Sequence, residues 1–413
     1  WNPLTPEPDV RTETIIKASY RGVQDARTCI RNLHRSVEED GNPYGVDLDR
    51  IVLWGQGTGG YLSLGAATLD DYSEISSLDK FLNTTTFLPY VTQELDGDIY
   101  GEVAAPLNTP NHVGYPSEFH LAVNMGGALG DTSWVDNVNA DFNAPPIMGY
   151  HVLTDPFAPI SDGVVREPVN NEVVVRVSGT VSVVEKANAK GINVPLDPAL
   201  DDENPLGQFL NARVEALSNV TIDLSALGQG VTPIAATHMY TFVPPIDPDT
   251  GGPRLESGPW DWWNKDQLDA TLAGTPFDSD QLDSDGKLTN PDMSPEKARA
   301  HIDTIFAHFL PRACQVLQLG ECAIVNTEEL IDDSLHGLSV APNPAVDRIL
   351  VQTNPSHPME AIQVFDMNGR FVRSHFGIDN HQYHIERGDL PNGIYLLKVK
   401  FAEGISIRRI VFN

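Results

Sequence analysis

Two hydrophobic regimes divide the chain. From Glu13 to Val37 apolar residues return at helical spacing (Ala26, Cys29 or Ile30, Leu33, Val37), which predicts a long amphipathic helix. The run "IVLW" (Ile51–Trp54) predicts a strand, and helical spacing resumes beyond it through Leu62, Leu64 and Ala67. "FHLAVNMGGALG" (119–130) and "APPIMGYHVLTD" (144–155) are short apolar runs closing in polar or glycine-rich corners, as buried parallel strands do. Between Pro156 and Thr237 the pattern changes. "NEVVVRVSGTVSVV" alternates and predicts an antiparallel strand pair, while "NPLGQFLNARVEAL" predicts a helix. We read 156–237 as an insertion or cap over the carboxyl edge of the sheet. "MSPEKARAHIDTIFAHFLPRACQVL" predicts a helix capped by Ser294, with Pro295 at its first position. Residues 326–338 are polar, acidic and aperiodic, hence a linker. From 339 to 413 the period becomes two, with turn formers Asn368-Gly369 and Asn392-Gly393 between short strands, which predicts a small all-β, Ig-like sandwich. The expected fold class is thus an α/β domain with a mainly parallel sheet over 1–325, followed by an all-β domain.

Charge narrows the partners. Acidic residues outnumber basic ones 57 to 27, a formal charge of −30 in 413 residues. A field of that sign repels nucleic-acid phosphates and anionic membranes. It suits a protein kept soluble in salty water or coated with divalent cations. No run has the length and apolarity of a membrane-spanning helix. The first residue is Trp1, so the sequence reads as processed or incomplete at its start. Of three cysteines, Cys29 reads as a small core residue, and Cys314 and Cys322 flank a loop short enough for a disulfide, a pairing that sequence leaves open.

The chemistry concentrates at "RIVLWGQGTGGYLSLGAA" (50–67). A strand, a tight glycine corner and a helix form the setting of the G-x-S-x-G nucleophile elbow. With Gly55 and Gly59 on the outer glycines, the middle position is Gly57, which has no side chain. Glycine adopts the positive φ of such a corner freely, so the turn survives while the attacking oxygen is gone.

"YRGVQDARTCIRNL", "GVDLDRIVLWGQGTGG", "NMGGALGD" and "HVLTDPFAP" resemble the C-terminal portion of a carboxylesterase-like α/β-hydrolase. The resemblance implies an acid after a later strand, in a pattern H-x-x-x-D-P-x-x-P that falls on His151, Asp155, Pro156 and Pro159. It implies a histidine after the last strand, for which His238 is the candidate, and an oxyanion donor at the Thr58 N–H. That chemistry requires no cofactor. The strands and the oxyanion loop that open such a fold are missing, so we expect an N-terminal half on upstream sequence or on a separate chain. The implied function is a hydrolase domain inactive or impaired at Gly57. The competing class is an extracellular binding, adhesive or filament-forming protein on the same scaffold.

The last 75 residues resemble the C-terminal sorting domain of type IX secretion cargo of Bacteroidota, through "SVAPNP", "VFDMNGR", "LPNGIYLLKV" and "IRRIVF" in order. This implies the type IX machinery as partner of 339–413 and a secreted or outer-membrane surface location. Two further stretches carry candidate chemistry. "GPWDWWN" (258–264) is a packing element, with an aromatic or sugar platform as its alternative. "FDSDQLDSDGKL" gathers Asp278, Asp280, Asp283 and Asp285 ahead of Gly286, donors suited to calcium, beside the reading of a solvated acidic loop.

Overall fold

The amphipathic helix forms as α1, Pro8–Glu39, with proline in its first turn. Its buried stripe runs Ile16, Tyr20, Val23, Arg27 and Ile30, a heptad spacing that leaves Cys29 exposed rather than in the core. Arg27 sits in that stripe because its guanidinium bonds the carbonyls of Ala66 (3.0 Å) and Leu69 (3.1 Å), at the end of the helix it packs against. A hydrophobicity pattern cannot anticipate an arginine that is buried as a helix cap.

The computed structural model describes residues 5–136, 143–166, 172–201, 205–247, 251–319, 336–366, 371–388, 390–402 and 404–413. The chain divides into two units, Trp1–Cys322 and Ala323–Asn413. After α1 come β1 (Val52–Gln56), α2 (Thr58–Thr68), α3 (Tyr72–Ser76), α4 (Gln93–Asp96), β2 (Leu121–Met125), β3 (Ala128–Leu129) and β4 (Ile147–Val152). The 156–237 region holds β5 (Gly163–Arg166), β6 (Val173–Gly179), α5 (Thr180–Ala189), α6 (Pro205–Ser218), β7 (Thr221–Asp223) and β8 (Val231–Pro233). Then follow β9 (Met239–Phe242), α7 (Lys265–Leu272), α8 (Ser279–Thr289) and α9 (Pro295–Val316).

A four-stranded parallel sheet of order β1-β2-β4-β9 organises the first unit. Alternation splits its side chains between two cores. Leu121, Val123, Met125, Met148, Tyr150, Val152, Tyr240 and Phe242 face α6 and α9, while Ala122, Ile147 and Met239 face α1, α2 and α5. Tyr150, fully buried, donates its hydroxyl to the Ile305 carbonyl of α9 at 2.9 Å. Strand β6 pairs antiparallel with β5 and β3, as the alternation of 172–179 leads one to expect. However, "TVSVV" (180–184) is the start of α5, not a second strand. Val181, Val183, Val184 and Ala187 of α5 are all buried, and burial on several sides of a helix overrides the β preference of valine.

Helix α1 is fixed to the α4 corner by an ion pair between the half-buried Arg21 and a buried carboxylate. Asp96, fully buried, accepts bonds from Arg21 Nε (3.0 Å), from Arg21 Nη2 and from the Thr92 N–H (3.1 Å). Arg21→Ala is expected to lower unfolding free energy by about 3 kcal/mol, because it strands a buried carboxylate. Denaturant titration measures this, and a change within the range of surface substitutions would contradict it.

The strands described in the second unit pair antiparallel, with one isolated parallel bridge between Ala345 and Phe412. A three-stranded sheet holds β10 (Ser339–Ala341), β11 (Arg348–Gln352) and β14 (Gln382–Glu386) in that order. A four-stranded sheet runs β13-β12-β15-β16, from Phe371–Asn380, Met359–Asp366, Gly393–Lys400 and Ile405–Phe412. Inward residues of both, such as Ile349, Val351, Ile362, Val364, Leu397 and Val399, share one core. The Asn368-Gly369 turn and most of the 326–338 linker lie outside the described residues. No helix among the described residues is long and apolar enough to cross a membrane.

Candidate functional site

Three glycines shape the corner between β1 and α2. Gly57 caps α2 with φ 54° and ψ −118°, a conformation open to glycine and strained for other residues. Its N–H donates to the Met125 carbonyl at 2.8 Å, which ties the corner to the end of β2. A Cβ on Gly55 would stand 1.9 Å from the Gly59 carbonyl oxygen, and one on Gly60 would stand 2.2 Å from Asn124 Oδ1. Gly55 is therefore required by backbone contact, and Gly60 by the buried Asn124 side chain with the Gly127 backbone 3.0 Å away. A Cβ on Gly57 would meet nothing within 4 Å, so that position faces open space. Thr58 opens α2 behind it, and no side chain caps the helix N-terminus.

A buried polar network supports the corner from below. Asn124, fully buried, receives the Gly127 N–H (2.9 Å) and donates to Thr180 Oγ1 (2.8 Å). Thr180 Oγ1 lies 2.7 Å from His151 Nδ1, and His151 Nε2 lies 3.0 Å from the Ala158 carbonyl. A carbonyl only accepts, so Nε2 carries the proton and Nδ1 takes the threonine hydroxyl. Burial holds the His151 pKa down, and both ring nitrogens are committed to this network.

Asp155 follows β4 at the carboxyl edge of the sheet. It is buried, and Oδ2 lies 3.5 Å from where a Cβ on Gly126 would stand, beside the corner that Gly57 bonds. Oδ1 accepts the N–H groups of Phe157 (2.8 Å) and Ala158 (3.2 Å). Burial raises its pKa, against the opposing pull of His151 and these hydrogen bonds. Oδ2 accepts a hydroxyl, from Ser257 at 3.0 Å.

His238 lies elsewhere. It precedes β9 and so sits at the amino end of the strand, opposite the end that carries Gly57 and Asp155. Its Nε2 donates to Asp197 Oδ1 (3.0 Å) and its Nδ1 accepts from Arg312 Nε (3.3 Å). Burial, then the Arg312 charge, push its pKa down to about 4. The structure does not bring His238 to Asp155. The residue beyond the last parallel strand that does reach Asp155 is Ser257, in an irregular segment without a motif to mark it.

Beside the corner lies a cavity of ≈ 520 Å³. Ile16, Tyr20 and Val23 of α1, Leu62 of α2, Trp134 and Val175 form much of its wall, and Gly57, Thr58 and Gly126 border it. Tyr61 also lines it, its phenol pKa raised by burial and then by the Asp155 charge.

The acidic stretch forms the helix α8 and not a loop. Asp278 caps α8 by accepting the N–H groups of Asp280 and Gln281. Asp280 pairs with Lys265, Asp283 with Lys287 (2.6 Å) and with Trp263 Nε1 (3.1 Å), and Asp285 accepts from Gln281. These four carboxylates are spread over separate partners. Trp263 packs on Gly286 of the same helix, and Trp260 is buried against Phe242, so both serve as packing. Cys314 is in a disulfide, and Cys322 lies outside the described residues.

No curated protein matches the chain. Among solved structures it is similar to "The structure of CBM51-2 and INT domains from Clostridium perfringens ZmpB", at 20% identity over 17% of this chain and 17% of that one, with a TM-score of 0.13, too low to bear on the fold. Residues 339–413, whose motifs suggested an export tag, match the family model described as Secretion system C-terminal sorting domain. The chain therefore carries a type IX secretion sorting domain that engages the secretion machinery, and its destination is the secreted or outer-membrane surface compartment.

Proposed function

We propose that the first unit is a carboxylesterase-like α/β-hydrolase scaffold without a working triad, acting at the cell surface as a binding protein for an apolar ligand. The observation that carries this reading is the pairing of an empty elbow at Gly57 with an Asp155 held by a serine hydroxyl instead of an imidazole. Gly57, Asp155 and Ser257 follow the chain order nucleophile, acid, histidine of that family. Two of the three positions thus lack the group that does the chemistry, and the one retained only orients. The Thr58 N–H remains where an oxyanion donor would be, able to receive a ligand's polar end.

The adjacent cavity supports binding. Its volume falls within the roughly 300–1,000 Å³ of small-molecule sites, and its wall is almost wholly apolar, which suits an acyl chain or another apolar body. β1 is an edge of the sheet among the described residues. Its Val52, Leu53 and Trp54 are half-buried where β2 and β4 are fully buried, which supports a further strand supplied upstream or by another chain.

A fluorescent fatty acid tests the binding claim. The probe is expected to bind the unaltered protein saturably without being consumed. Ser19→Trp, placed on α1 at the cavity wall, is expected to weaken it about tenfold by filling the site. Equal affinity in the two proteins, each with native circular dichroism, would overturn the assignment.

A further inference from the structure

We propose that Asp70, Glu74 and Asp136 form a calcium site, independent of the Gly57 corner. One ligand oxygen from each lies within 4.8 Å of the others, the span of oxygens on opposite sides of an ion that they bind at about 2.4 Å. The donors are all hard carboxylate oxygens, which suits Ca²⁺.

Two of the three are prepared in a way that clustering alone does not explain. Asp70 is 7 % exposed, yet its carboxylate accepts no hydrogen bond and joins no ion pair among the described residues. A buried carboxylate in that state is costly unless something positive meets it. Glu74 is held rigidly by the capping box of α3. Its Oε2 accepts the N–H groups of Asp70 (2.9 Å) and Asp71 (3.1 Å), and its Oε1 is left buried without a partner. The Arg27 charge acts on Asp70.

The position has a consequence. Glu74 precedes Ile75 and Asp136 follows Trp134 by two residues, and both Ile75 and Trp134 wall the cavity. Trp134 Nε1 already bonds the Glu74 carbonyl at 3.0 Å. An ion there clamps these two segments together, on a protein whose compartment lies outside the cell.

Terbium reads the site directly, since Trp134 lies against it and sensitises lanthanide emission. The full chain, stripped with EDTA, is expected to give saturable tryptophan-sensitised Tb³⁺ emission that Ca²⁺ displaces and equal Mg²⁺ does not, and Ca²⁺ is expected to raise the melting temperature. Asp136→Asn and Glu74→Gln each remove a charged ligand, and glutamine keeps the oxygen that caps α3. Each is expected to lower Ca²⁺ affinity by about tenfold or more with circular dichroism unchanged. Absent emission, emission insensitive to Ca²⁺, or the same Ca²⁺ response in both variants as in the unaltered protein would overturn the site. A cluster that only shares a proton gives the last of these results.

Discussion

Gly57→Ser alone is expected to leave p-nitrophenyl acetate hydrolysis at the level of the unaltered protein, whereas Gly57→Ser combined with Ser257→His is expected to raise it by about 10²-fold. The serine fits sterically, since a Cβ at position 57 meets nothing within 4 Å. Its backbone strain at φ 54° and ψ −118° is on the order of 1–3 kcal/mol, which a domain with two large cores carries. What the single variant lacks is a base. His151 has both nitrogens bonded below the corner, and His238 is held by Asp197 and Arg312 at the far end of the sheet. A histidine at position 257 would replace the hydroxyl on Asp155 Oδ2 and receive the orientation that the carboxylate supplies. We place the gain at the low end of general-base effects because nothing has refined the distance between the two new groups. Steady-state kinetics over pH measures it, and the gain must titrate with an imidazole. Robust turnover by the single variant would show that another base reaches position 57.

The second large effect lies two residues away. Gly55→Ala is expected to destabilise the first unit by more than the roughly 1–3 kcal/mol of ordinary overpacking. Its methyl would stand 1.9 Å from the Gly59 carbonyl oxygen and 2.6 Å from the Gly60 nitrogen, both backbone atoms of α2. A side chain could rotate away, but here the helix must move. Its movement would pull Gly60 off Asn124 and Gly127, where the close approach of the two segments seats the corner. Thermal unfolding compares the two glycine variants. Gly57→Ser is expected to stay close to the parent and Gly55→Ala to fall well below it. A Gly55→Ala protein as stable as the parent would mean that the corner is not packed in this way.

What the sequence conveyed depended on how local each feature is. The strand, glycine corner and helix were legible because they are contiguous from Ile51 to Ala67. That Asp155 follows a strand was legible because it closes the apolar run of β4. His238 misled because adjacency to a strand does not say which end of the strand a residue occupies, and β9 begins after it. Ser257 could not be read at all, since it reaches Asp155 only through the fold. The carboxylates of Asp278–Asp285 suggested an ion by density, but that density cannot be told from a helix laced by pairs four apart, such as Asp283 with Lys287. Glu74 had a local signal, the D-x-x-E capping pattern at Asp71–Glu74, whereas Asp136 lies 62 residues further along the chain. The export domain was the most legible part because its motifs recur in order along one segment.

The central claim is that this corner holds no catalytic triad, and ester turnover by the unaltered protein tests it most directly, measured against an Asp155→Asn variant. Equal rates, both at the buffer background, are the result expected. A rate above background that collapses in Asp155→Asn would contradict the claim, because it would make Asp155 part of a working site that Gly57 and Ser257 do not describe.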